Sequence, residues 1–506
     1  MLAPWAMDEM KDVQLNDKRL NERLVEVLSQ LGGRPTSSIP AACGGYAETA
    51  AAYRFFDNKK TNFDNVLQPH IEATRRRLAE QEVVLLVQDT TEIDLTRPAE
   101  QVAGAGPLDD GPRRGAFLHP LAAFTRDGTP LGTVHATAWA RDDAPPPSKL
   151  EREHRRKHTP IEEKESHRWV QALRHAREEA QRAPQTQFVC IADSEADIYE
   201  LLAEAQSEAG RPDFIVRACQ DRALLKEENS PENAGVSDDA ARDGGAASPP
   251  SDDAATLLRD QMLTRDVLFT HTVKVRGRQA KVACETRGRR QPRTSRTAEV
   301  EVRAATLTLR PPWRHDRKLP PVTVNVVLVR EIDPPADDVP VEWMLLTSLP
   351  IDDADAVRTV IQYYCVRWMI EVFFRTLKSG CRVEDRRFEH IDRFLPCLAV
   401  YLIVTWRTLF VCRLGREFPD ISCEAVFEPS EWKAVYHVVH QQPPPPDPPT
   451  LQEMIRLVAQ LGGYVNRPRS DEPGPQTVWL GLQRTHDMAL CWETFGPEAR
   501  KQEVLV

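Results

Sequence analysis

Apolar residues along this chain recur with two different periods, and the switches between them mark out its elements. After a cap at Asn16 or Asp17, Leu20, Leu24, Val27, Leu28 and Leu31 repeat at helical spacing, with Lys18, Arg19 and Arg23 on or near the opposite side. Gly32-Gly33-Arg34-Pro35 is expected to stop that helix. A second helix is predicted over 47–57, where small apolar residues and aromatics surround Arg54. The pattern then changes. Residues 83–87 form a continuous apolar run, as in a strand buried on both faces, and Asp89 follows it. Stretches 117–124 and 132–139 read as paired strands joined through Asp127-Gly128. A charged helix is expected over 161–181. Residues 188–192 then give a second buried strand, again ending at an acid, Asp193. Strand patterns recur at 273–282, 298–309 and 322–329.

The next segment, 364–378, concentrates unusual chemistry. Read as one helix, it places Tyr364, Arg367, Glu371 and Lys378 on a shared face, while Ile370, Phe373, Phe374 and Leu377 supply the apolar side. A phenol, a guanidinium and an ammonium suit phosphates, and the carboxylate suits a metal that activates water. The same face also reads as an ordinary helix carrying i,i+4 ion pairs such as Arg367 with Glu371. Beyond it, the apolar run 394–406 contains Pro396. It is expected to be a buried core helix, too short for a membrane span of roughly 20 residues. A proline-rich linker, 441–449, precedes two helical stretches, 451–461 and 479–495.

Composition narrows the class. The 506 residues suffice for two to four domains, and 41% hydrophobic content with mixed charge describes a soluble globular chain. The first eleven residues are acidic and carry no signal-peptide core. Ten scattered cysteines without Cys-x-x-Cys spacing point to reduced thiols rather than a disulfide framework or a zinc site. A net charge of -10 counts against a general nucleic-acid binder, yet the charge is unevenly spread. Stretch 227–253 is acidic and loop-like, whereas 274–296 carries nine cations against Glu285. Taken singly, each acid has a bland reading. Asp89 would cap a turn with Thr90 and Thr91, Asp94 fits worse as a ligand, and Glu195 and Asp197 would suit a helix N-terminus. His437 and His440 read as structural.

The spacing Tyr-(2)-Arg-(3)-Glu-(6)-Lys resembles the signature of bacterial insertion-sequence transposases of the DDE class. The resemblance extends over about 8–497. It implies an α/β fold: an RNase H-like catalytic core over 71–440 with a β-rich insertion at about 220–340. A helical DNA-end-binding domain over 1–70 and a helical dimerisation domain over 441–506 would flank it. Asp89, Asp193 and Glu371 would be the catalytic, metal-holding carboxylates, binding two Mg²⁺ or Mn²⁺ ions, with Tyr364, Arg367 and Lys378 orienting phosphates. The motif around Asp193 has Ser194 where close relatives have Arg, which removes one DNA contact. Arg217 would touch a phosphate, and Trp343 and Trp368 would stack an extruded base. The Ala-Tyr-Arg-Phe segment resembles the family's end-recognition region, making Lys18, Arg19, Arg23 and Arg54 candidate contacts. The implied partners are transposon-end and target duplex DNA and a second copy of the chain, in the bacterial cytoplasm and nucleoid, with no membrane. A junction resolvase and a non-catalytic DNA-binding descendant stay open as alternatives.

Overall fold

The computed structural model describes residues 2–97, 99–109, 111–143, 148, 150–151, 158–206, 212–225, 256–275, 295–314, 317–336, 338–467 and 472–497. The acidic stretch 227–253 and the cations Arg276 through Arg293 lie outside them. The chain divides into two compact units. One comprises Met1–Pro146, Arg182–Phe188 and Val366–Val506, the other Pro147–Gln181 and Val189–Cys365.

In the first unit the sheet is organised on its fourth strand. The strands are β1 (Val83–Gln88), β2 (Thr91–Asp94), β3 (Gly106–Pro107), β4 (Arg114–Phe124) and β5 (Pro130–Trp139). β4 pairs antiparallel with each of the other four. On one side β1 covers the far half of β4, from Gln88 opposite Leu121 to Leu85 opposite Phe124. β2 covers the near half, from Thr91 opposite Leu118 to Asp94 opposite Gly115. The ladder is therefore interrupted at Asp89 and Thr90, across from His119 and Pro120. A proline brings no N–H to a ladder, which suits it to a break. The β4–β5 hairpin turns at Gly128, whose φ of 85° favours glycine.

Helices flank this sheet. Lys18–Gly33 is capped by Asp17, whose carboxylate accepts the Arg19 N–H. The helix continues through both glycines before the Arg34-Pro35 break, two residues further than expected. Tyr46–Phe56 and Phe63–Leu78 follow. The predicted core helix at 394–406 is much longer, Ile391–Glu417. It is long and apolar enough to cross a membrane, with mean hydropathy 1.8, yet 83% of that window is buried within the protein. Residues 407–417 extend it because Leu409, Val411 and Cys412 keep one side apolar between arginines. Trp406 anchors it by donating its indole N–H to the Pro130 carbonyl at 3.0 Å.

C-terminal to it, Pro429–His440, Leu451–Leu461 and Pro475–Phe495 pack around Trp432, Met454, Val458 and Val478. Thr450 and Glu453 form a reciprocal cap on the middle helix. Gly481 lets the last helix approach it so closely that a Cβ would run into the Val458 carbonyl oxygen. Gly481→Ala is therefore expected to lower stability by about 1–3 kcal/mol through overpacking. It should also expose the last helix to limited proteolysis; an unchanged melting temperature and digestion pattern would refute this.

The second unit carries a mixed sheet. Its strands are β6 (Gln187–Ala192, from Val189 onward), β7 (Asp213–Arg217), β8 (Phe269–Val275), β9 (Arg296–Leu309), β10 (Val322–Glu331) and β11 (Glu342–Thr347). β6 and β7 are parallel, and the order β6-β7-β11-β10-β9-β8 continues antiparallel. Strands predicted in the insertion thus extend the sheet that holds β6. The charged helix begins later than expected, at His167, after a short turn Ile161–Glu163.

Candidate active site

Two of the three candidate acids, Asp89 and Asp193, stand at the ends of buried strands, where open sheets place ligands. Asp89 follows β1, whose residues from Val84 to Gln88 are buried, and its carboxylate accepts the Thr90 N–H at 2.7 Å. In the other unit, Asp193 follows β6 and accepts the Ser194 N–H at 2.6 Å. There it meets Arg217 Nε at 3.2 Å, so the predicted phosphate-binding arginine rests on a carboxylate.

The segment 364–378 is not the single helix expected. It is divided into the end of Ala354–Val366, a helix Trp368–Arg375 and a π turn Thr376–Gly380. Arg367 between the first two keeps helical dihedrals, −47° and −34°. The larger change comes at Thr376. Its hydroxyl donates to the Val372 carbonyl at 2.9 Å, and the Cys381 N–H reaches back five residues to the Thr376 carbonyl at 2.7 Å. Gly380 seats this turn, since a Cβ would come 2.9 Å from the Trp479 ring. The extra residue per turn takes Lys378 out of the predicted helical register. Its ammonium lies 3.8 Å from Glu384, and burial lowers its pKa against the pull of Glu384, Glu92 and Asp94.

Arg367 and Glu371 do share a face. The guanidinium lies 3.5 Å from Glu371 Oε1 and 3.6 Å from Asp89 Oδ2, joining two acids far apart in sequence. Glu371 is 44% exposed at its side chain. Asp94, by contrast, is held by Arg113 at 3.0 Å and Thr96, and stays below the ordinary carboxylate pKa. Burial alone would raise it, and those hydrogen bonds outweigh it.

The remaining candidates are dispersed. Tyr364 is 5% exposed and packs on Trp343, ring centroids 5.6 Å apart, whereas Trp368 is 42% exposed. Lys18, Arg19 and Arg54 are exposed on the two N-terminal helices, and Arg23 is half-buried beside Glu26. Lys18 pairs loosely with Glu22 at 3.8 Å, and exposed pairs of this kind are worth about 0–1 kcal/mol, leaving the cation available to a phosphate.

Two residues have contacts that sequence reasoning missed. Asp197 stands just before the helix Tyr199–Ala205, as expected of an acid at a helix start, but does more than that. Its buried carboxylate accepts the Cys219 and Gln220 N–H groups, both at 2.8 Å, and the Arg222 guanidinium, tying down the loop after β7. His119 is buried beside Gln88 and Thr90, the neighbours of Asp89.

Hard oxygen donors at these positions suit a divalent cation. Among the described residues, no three His, Cys, Asp or Glu side chains are arranged to hold a metal ion. What the geometry offers is two carboxylates on one cation in the first unit and one carboxylate on another in the second.

Comparison with known families places this chemistry. Residues 2–61 match a family model described as transposase DNA-binding, residues 156–395 a transposase DDE domain, and residues 403–493 the transposase Tn5 dimerisation domain. DNA-binding, DDE and dimerisation modules in this order define a DNA transposase, a DNA-binding enzyme of the DDE class that forms homodimers. The dimerisation match is to the Tn5 type. The mixed α/β architecture is consistent with an RNase H-like DDE domain, a class that generally uses divalent metals. Asp193 and Glu371 fall inside the DDE match, while Asp89 lies outside all three and is tied to Glu371 by Arg367.

Proposed function

We propose that this chain performs cut-and-paste transposition, most like the transposase of the kanamycin-resistance composite transposon. It nicks the transposon end to free a 3′-hydroxyl, forms and resolves a hairpin, and joins that hydroxyl to target DNA. The observation that carries the reading is the meeting of Asp89, Arg367 and Glu371. Asp89, Asp193 and Glu371 would hold two Mg²⁺ or Mn²⁺ ions. When bound, such ions supply an activated water or hydroxyl and stabilise the leaving oxygen.

The protein's own groups bind and orient. Arg367 presents a planar fork suited to a phosphate, and Lys378 and Arg217 add point and forked cations. Trp343 and Trp368 would stack an unpaired base, worth roughly 1–3 kcal/mol, which helps hold open hairpin-forming DNA. Lys18, Arg19, Arg23 and Arg54 would contact the transposon end. Two ends require two chains, so the working unit is a homodimer in a synaptic complex, acting on the bacterial nucleoid.

The test is incubation with Mg²⁺ and duplex carrying the inverted repeats that flank the gene. Hairpins at the termini support the proposal. Cutting of branched junctions alone would make it a resolvase, and binding without cutting a non-catalytic descendant.

A further inference from the structure

The π turn that carries Lys378 is fastened to β2 through one side chain. Glu384 follows it in the short turn Val383–Asp385, and both side chains are half-buried within the first unit. Glu384 Oε1 accepts the Asp94 N–H at 2.9 Å, and the Glu384 main-chain carbonyl accepts from Arg97 Nη2 at 2.6 Å. The carboxylate is thus held by groups other than the lysine, on the strand that begins at Thr91, just after Asp89. Lys378 Nζ lies 3.8 Å from that same oxygen. Glu92 and Asp94 also act on the ammonium, but both are paired with Arg113, at 2.9 and 3.0 Å, as is Asp109 at 3.1 Å. Arg113 offsets those acids, and Glu384 exerts the strongest pull on the lysine.

We propose that Glu384 is a positioning residue for Lys378: held on the backbone of β2, its carboxylate sets where the ammonium stands when a DNA phosphate arrives. The proposal rests on Lys378 being a phosphate-binding residue. A lysine head rides on a flexible four-carbon stem, and a fixed anion beside it narrows the positions it samples before DNA binds. At 3.8 Å the pair is outside hydrogen-bond range, so attraction restrains the ammonium without occupying an N–H that a phosphate needs. The chain between the two residues is braced as well, since buried Arg386 donates to the Cys381 carbonyl at 2.5 Å. Glu384 also helps keep the lysine charged. Burial lowers the Lys378 pKa, Glu384 and then Glu92 and Asp94 raise it, and Arg113 lowers it.

The test compares Glu384→Gln, Glu384→Asp and Lys378→Ala in the full-length protein. It scores single-turnover cleavage of inverted-repeat duplex with Mg²⁺ over an alkaline pH series, and end binding by gel shift. Glu384→Gln keeps the volume and an acceptor for the Asp94 N–H, so its melting temperature and end binding should match wild type. Its cleavage is expected to slow by about 10-fold, within the coupling range of contacting side chains. The loss should deepen as pH rises, the alkaline limb moving to lower pH, because the ammonium has lost its nearest anion. Glu384→Asp restores the charge and should recover part of the rate. Lys378→Ala combined with Glu384→Gln should be no slower than Lys378→Ala alone, because both cut the same link. Cleavage by Glu384→Gln within about twofold of wild type overturns the proposal. An unmoved alkaline limb, a rate loss that follows a lowered melting temperature, or multiplying losses in the double variant overturn it as well. Lys378→Ala serves as the reference. If it cleaves normally, the phosphate-binding reading of Lys378 has failed; if it is slow and Glu384→Gln is normal, only the positioning role has.

Discussion

Glu371→Gln is expected to leave transposon-end binding intact and to lower strand cleavage by on the order of 10²–10³-fold or more, the scale for removing a preorganised electrostatic group. The substitution keeps the side-chain volume and removes only the charge. Glu371 is 44% exposed and opens no cavity when changed, so folding should move by less than about 0.5 kcal/mol. What changes is the balance around Arg367. With Glu371 neutral, the guanidinium faces Asp89 as its one remaining anion in this trio, and the donor set for a divalent cation loses a ligand. Gel shift and a gel-based cleavage assay read the two effects apart. Wild-type cleavage by the variant would remove the proposed mechanism.

Glu9→Ala is expected to cost about 3–5 kcal/mol of stability, the range for breaking a buried charged pair from one side. Glu9 is 5% exposed at its side chain and accepts from Arg77 at 2.9 and 3.0 Å and from His70 Nδ1 at 2.5 Å. The Thr133 N–H donates to His70 Nε2 at 3.0 Å, which fixes the proton on Nδ1 and keeps the ring neutral. Arg77 stacks on Trp406 at 4.1 Å, so the cluster ties the short helix Pro4–Glu9 to the core helix. Burial raises the Glu9 pKa, but His70 and Arg77 outweigh it and hold it at about 2. A depressed carboxylate contributes stability that is present above the ordinary value of 4.5 and lost as pH falls toward 2. Burial lowers the His70 pKa below 6.5, so there too the unfolded chain takes up protons first as pH falls. Both groups act with the same sign: stability falls by about 1.4 kcal/mol per pH unit for each group within its window. Urea unfolding at pH 7, 5.5 and 4 checks this. The variant should be weaker at pH 7 and flatter below pH 4.5; equal midpoints for both proteins at pH 7 would refute it.

Much of the architecture could be read before any coordinates. The strands ending at Asp89 and Asp193 follow from unbroken apolar runs that only a two-sided buried strand accommodates. The β4–β5 hairpin follows from two strand-like runs joined by the Asp-Gly turn signal. Hydrophobic period is a local property, and local properties survive folding. The helix at 364–378 shows the limit of that reasoning. Its propensities are mostly helical, yet the Thr376 hydroxyl and the close approach of Trp479 to Gly380 convert its end to a π turn. Lys378 then goes to Glu384, a pairing that no spacing rule contains.

The linear order by itself determined the acids, the cations around them and the strands and helices that carry them, because composition and period act within a few residues. Only the tertiary structure decided that Arg367 would lie between Asp89 and Glu371, that Asp197 would pin a loop, and that His119 would lie between Gln88 and Thr90. Those outcomes depend on strand register and on which distant segments meet, and register is set by the packing of the whole sheet.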